Sequence, residues 1–120
     1  MNSNIPTEAQ EQKAVFEWSM YNRAKYPELA LMFHIVNEGK RDAITGRHLK
    51  QQGMKKGVPD ICLPVARKGY HGLYIEMKRK NGRPSPEQLW WQDRLREQKY
   101  KAEICHGWEE AVEVLEDYLK

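Results

Sequence analysis

Fifteen residues separate Asp60, in Val58-Pro59-Asp60, from Glu76, in Ile75-Glu76-Met77-Lys78. Two carboxylates and a lysine at this spacing could do metal-assisted chemistry if the chain brings them together. Leu73 to Lys78 reads as a strand, because apolar and β-branched residues dominate it and Gly72 and Asn81-Gly82 punctuate its ends. Side chains alternate along a strand, so Glu76 and Lys78 point to one side. Asp60 stands where a proline-stiffened approach enters a second apolar run, Ile61-Cys62-Leu63-Pro64-Val65. A neighbouring strand there would set its carboxylate beside Glu76. Such a pair offers hard oxygen ligands suited to Mg2+ or Mn2+. With a lysine next to them, the chemistry would be hydrolysis of a phosphodiester.

The elements that must position these groups follow from periodicity and punctuation. A helix is expected from about Thr7 to Tyr26, stopped by Pro27, then a strand through Leu31 to Val36 and a turn at Asn37-Glu38-Gly39. A short helix over Asp42 to Gln52 leads into a flexible basic loop, Gly53-Met54-Lys55-Lys56-Gly57, and then the Asp60 strand. Ser85-Pro86-Glu87-Gln88 opens a helix reaching about Gln98, with Ser as N-cap, Pro at the first helical position and Gln in the capping-box position. A fourth strand covers Tyr100 to Cys105. A last amphipathic helix, Trp108 to Leu119, carries Val112, Leu115 and Leu119 on one face. An antiparallel meander of the first three strands would make the Asp60 and Glu76 strands adjacent, and the long connection after Glu76 leaves room for a helical crossover. The expected fold is an α/β sandwich in which a mixed four-stranded sheet is flanked by helices.

A chain of 120 residues with 40% apolar content suits one domain, 1–120, and is too short for two. No apolar run approaches the roughly 20 residues of a membrane span, and Met1-Asn2-Ser3-Asn4 does not begin a signal peptide, so a cytoplasmic protein is expected. The net charge is +3. Its distribution is uneven: residues 40–83 hold 12 Lys/Arg against 3 Asp/Glu, whereas the flanking segments are net acidic. Two of those three acids are Asp60 and Glu76, so a metal-sized acidic spot lies within a phosphate-attracting field. A basic run is usually a solvated face, but the enclosed acids favour nucleic acid as the partner. Lys40, Arg41, Arg47, Lys50, Lys55, Lys56, Arg79 and Lys80 are the candidate DNA contacts.

On a helical wheel Glu8, Gln12, Val15, Ser19 and Tyr26 fall within one narrow arc, with Glu11 and Trp18 on its shoulder and Glu17 opposite. Glu8 is therefore the better inward-facing carboxylate and Glu11 the reserve, although acids in a first turn commonly serve only the helix dipole. His34, His48, His71 and His106 show no ligand spacing. Gly53 and Gly57 lack the Gly-Lys-Ser/Thr ending of a nucleotide-binding loop. Cys62 and Cys105 fit reduced core thiols. Trp90 and Trp91 cannot both face one core from adjacent positions; one is expected at the surface, where with Leu95 it could serve a dimer interface.

These residues resemble the VRR-NUC domain of the PD-(D/E)XK nuclease superfamily over nearly the whole chain. The resemblance rests on Glu8 with Gln12, Val15 and Trp18, on His34 to Arg41, on Gly53-Met54-Lys55-Lys56-Gly57-Val58-Pro59-Asp60, on Tyr74 to Lys78 and on Ser85-Pro86-Glu87-Gln88. The long Gly-to-Asp string is its specific part. Two positions depart from the pattern: Glu11 competes with Glu8 for the helix carboxylate, and Glu38 stands where a small residue is frequent. The resemblance implies a restriction-endonuclease-like sandwich with an αβββαβ core. It implies a Mg2+ or Mn2+ ion held by Asp60, Glu76, the Met77 carbonyl and Glu8, with Lys78 positioning or activating the attacking water and Gln88 as an active-site neighbour. Relatives of this minimal kind resemble enzymes that cut four-way DNA junctions as symmetric homodimers, so a homodimeric, structure-selective DNA endonuclease is expected. A flap or restriction-like nuclease, or a non-catalytic DNA-binding module, are the alternatives.

Overall fold

The computed structural model describes residues 4–36 and 43–120. The expected turn at Asn37-Glu38-Gly39 and the candidate contacts Lys40 and Arg41 lie outside the described residues. Helix α1 spans Glu8–Tyr21 and is opened by a reciprocal capping box between Thr7 and Gln10. It ends five residues before the expected stop at Tyr26. Asn22 ends it: its side-chain amide donates to the Trp18 carbonyl at 2.8 Å, and its backbone N–H turns back to Ser19. Satisfying those terminal carbonyls locally lets the chain leave the helix before any proline is met. Pro27–Leu31 then winds into a 3-10 turn that buries Leu29, so the expected strand over Leu31 to Val36 shrinks to β1, Phe33–His34.

Helix α2 covers Ala43–Gln51, followed by β2 (Ile61–Leu63), β3 (Leu73–Lys78), α3 (Pro86–Glu97), β4 (Lys101–His106) and α4 (Trp108–Leu119). The sheet order is β1-β2-β3-β4. The first three strands form the antiparallel meander, and β4 pairs parallel to β3 after the α3 crossover. The Ser85–Gln88 capping box forms as the sequence predicts. Residues Ile61, Leu63, Leu73, Ile75 and Met77 join Val15 of α1 and Leu115 and Leu119 of α4 in one buried cluster. On α4 Ala111 and Tyr118 are also buried, whereas Val112 is only half-buried. Both cysteines are free and buried. Among the described residues no helix is long and apolar enough to cross a membrane.

Candidate active site

The strand period separates core from chemistry. Leu73, Ile75 and Met77 face the apolar cluster, which leaves Glu76 and Lys78 on the alternate face. Ile61 pairs with Ile75, so Asp60, one residue before β2, stands next to Glu76. Its carboxylate Oδ2 accepts the Met77 backbone N–H at 2.8 Å. That N–H points past the end of β2, where no strand partner meets it. In a strand a residue's N–H and C=O point the same way, so the Met77 carbonyl opens in this direction too. Continuing the register of Ile61 opposite Ile75 places Pro59 opposite Met77, and proline has no N–H to offer that carbonyl. The Pro-Asp pair thus ends the ladder and leaves oxygen atoms in its place.

Asp60 and Glu76 line a cleft of about 310 Å³ together with Glu8, His34, Lys78 and Gln88. Glu76 is 1% exposed, and its Oε1 has no hydrogen-bond partner. Burial, followed by the charge of Asp60 and a hydrogen bond between the two carboxyls, pushes the Glu76 carboxyl up to about 9. Burial also holds Asp60 above the usual carboxylate range, opposed by the Met77 N–H. Two acids this close in a desolvated place cannot both ionise cheaply, so the pair keeps a proton. Lys78, 7% exposed, lies with its Nζ 3.4 Å from Glu8 and 3.8 Å from Glu76.

A divalent ion fits this donor set. An orphaned buried carboxylate oxygen, a second carboxylate beside it and a carbonyl without a strand donor are hard oxygen ligands, and Mg2+ commonly takes only one or two carboxylates with water completing its shell. Asp60, Glu76 and the Met77 carbonyl would hold it. Among the described residues no three His, Cys, Asp or Glu side chains gather as one ligand set; the convergence is a pair, with Glu8 drawn toward Lys78.

The competition in the first helix resolves by geometry. Glu8 reaches the cleft, half-buried, whereas Glu11 is 2% exposed and accepts the Trp108 backbone N–H at 3.0 Å. That bond caps α4, whose N-cap Gly107 (φ 97°) has no side chain to do so. Gln88 lines the cleft with its Oε1 accepting the Ser85 N–H.

The basic candidates scatter more widely. Lys56 lines the cleft. Lys55, Arg47 and Lys50 are exposed. Arg79 turns toward the Ile5 carbonyl at 3.3 Å, and Lys80 lies 3.9 Å from Glu109 on α4, so neither faces the cleft. Two ionisable cleft residues escaped the sequence reading. His34 Nδ1 donates to the Asp60 carbonyl at 2.8 Å, and Arg83 lines the same wall. Extending the β1–β2 meander would have found His34, which pairs with Ile61; no sequence signal marks Arg83.

The VRR-NUC domain family matches residues 3–109. A solved structure described as a VRR_NUC domain protein superposes with a TM-score of 0.81 at 29% identity, covering 95% of this chain and 88% of that one. No curated protein matches the sequence at a significant level. The matched family is a nuclease type, which supports a DNA nuclease, and the Asp60, Glu76 and Lys78 pattern is consistent with the PD-(D/E)XK superfamily. The chain belongs to the VRR-NUC domain family.

Proposed function

We propose that the protein is a Mg2+- or Mn2+-dependent endodeoxyribonuclease that cuts branched DNA, four-way junctions foremost, as a homodimer. The observation that carries the catalytic part is the pairing of half-buried Asp60 with buried Glu76, one of whose oxygens is unpartnered, beside Lys78. Asp60, Glu76 and the Met77 carbonyl would hold the ion, with Glu8 completing the acidic wall. When bound, the ion supplies Lewis-acid polarisation of the phosphate and of the attacking water. Lys78 brings a fixed positive charge to the phosphate and orients the water between itself and the acids. Glu8 and Glu76 hold the ammonium in place from two sides. Lys56 and Arg83, on the cleft wall, draw the DNA backbone inward. The homodimer follows from the substrate: a junction needs two symmetric incisions, and two copies of the chain would supply two Asp60–Glu76 sites.

A divalent-metal cleavage assay comparing a synthetic four-way junction with linear duplex, flap and single-stranded DNA of matched sequence tests the reading. Paired, symmetric nicks confined to the junction are expected. Preference for flaps or duplex ends would keep the nuclease and discard the junction. Binding without hydrolysis in either metal would point to a non-catalytic module. Glu76→Ala should lower cleavage by roughly three orders of magnitude, about 4 kcal/mol of barrier, while leaving junction binding within a few-fold. Loss of folding in that variant would refute this separation of roles.

A further inference from the structure

A second concavity adjoins the cleft. It has a volume of about 550 Å³, within the range of pockets that hold small planar ligands, and is lined by Lys55, Lys56, Pro86, Glu87, Trp90 and Trp91. Trp90 is 54% exposed, with the Arg94 guanidinium over its ring at 5.4 Å from the centroid, while Trp91 is fixed by donating its indole N–H to the Lys56 carbonyl at 3.0 Å. The two rings stand nearly perpendicular, at 84° with centroids 5.6 Å apart. The wall between groove and cleft is tightly packed. Gly57 (φ 91°) packs so closely on α3 that a Cβ there would lie 2.7 Å from the Glu87 carbonyl carbon. Lys56 belongs to both concavities, and Pro86 and Glu87 of the groove lie between Ser85 and Gln88 of the cleft.

We propose that this groove takes a nucleobase unstacked from the DNA strand whose phosphate enters the Asp60–Glu76 cleft, with Trp90 as the stacking platform. The inference rests on the nuclease reading and adds how such an enzyme would favour distorted DNA. Three features select this occupant. The groove is continuous with the cleft through Lys56, so a strand held there passes the tryptophans. The rim carries two lysines against one glutamate, and the Lys56–Glu87 contact is exposed at 3.9 Å, too weak to withhold the lysine from a phosphate. A second copy of the chain related by a two-fold axis would bring the same lysine surplus to the same rim, like charge facing like. Aromatic faces beside lysines are how proteins hold unpaired bases whatever their sequence. A base still stacked in a duplex presents no face to the ring, so DNA that already has an unpaired base is preferred.

The test is binding of labelled oligonucleotide duplexes that differ only in one unpaired adenine, measured by anisotropy in EDTA, with 2-aminopurine replacing that adenine in a parallel series. Trp90→Ala should lose about tenfold more affinity for the bulged duplex than for the paired one. Trp90→Phe should recover most of it, and the wild type should quench 2-aminopurine where Trp90→Ala does not. Equal losses on both duplexes, no quenching, or an affinity change that follows a dimer-to-monomer shift of Trp90→Ala in sedimentation would overturn the proposal. Metal-dependent cleavage by the wild type together with any of these would leave the nuclease reading intact. Failure of the wild type both to bind and to cleave would remove both.

Discussion

The shared proton of Asp60 and Glu76 makes the metal-free protein lose stability as the pH rises. In the unfolded chain Glu76 titrates near its ordinary value of 4.5, whereas the folded pair holds its proton up to about 9. Between these values the folded state binds one proton that the unfolded state has released. The stability of the fold therefore falls with pH, by at most about 1.4 kcal/mol per unit. For a domain of this length that corresponds to roughly 5 °C of Tm per pH unit, so melting in EDTA should drop by about 10 °C from pH 6 to pH 8. Glu76→Gln has no such proton to lose. Its slope should report only the remaining groups, and the difference between the two slopes isolates the pair. A bound divalent ion takes the place of the proton, so saturating Mg2+ or Mn2+ should flatten the wild-type slope and add about 2.7 kcal/mol at a hundredfold excess over Kd. Scanning calorimetry of wild type and Glu76→Gln, in EDTA and in metal, measures all four curves. Equal slopes for the two proteins in EDTA would refute the shared proton.

The two helix acids should separate cleanly. Glu8→Ala should impair cleavage with a Tm change of no more than a few degrees, while Glu11→Ala should lower stability by about 1–2 kcal/mol through the lost α4 cap, read by urea denaturation. Lys55→Ala should weaken DNA binding and reduce the slope of log K against log salt by about one; an unchanged slope would take that loop off the interface. Gly57→Ala meets both a left-handed backbone and the Glu87 main chain, and should cost about 2 kcal/mol or more, visible as a lowered urea midpoint.

What the sequence revealed and what it hid divide by the range of the interactions. The β3 alternation, the Ser85 capping box and the α3 crossover are written in neighbouring residues, and each appears where local chemistry puts it. Asn22 was equally local, yet a side-chain amide closing on a carbonyl four residues back competes with helix continuation, and the proline beyond it gave the stronger signal. The first-helix acid could not be settled within its own segment. The buried arc, centred on Val15 and Ser19, extends to Glu11 because Gly107, ninety-six residues away, leaves an α4 N–H that only an incoming carboxylate satisfies. Glu11 is thus drawn to a need that arises at the other end of the chain, while Glu8, three residues earlier, reaches the cleft. His34 was hidden in the same way, being one residue of a strand whose meaning depends on its pairing with Ile61. Pro59 shows the opposite case. A local residue type, read through the register of β2 on β3, explains why the ladder stops at Met77 and why the donor set begins there. The proline before Asp60 is therefore part of the site's construction: with no N–H of its own, it has nothing to donate to the Met77 carbonyl across the ladder.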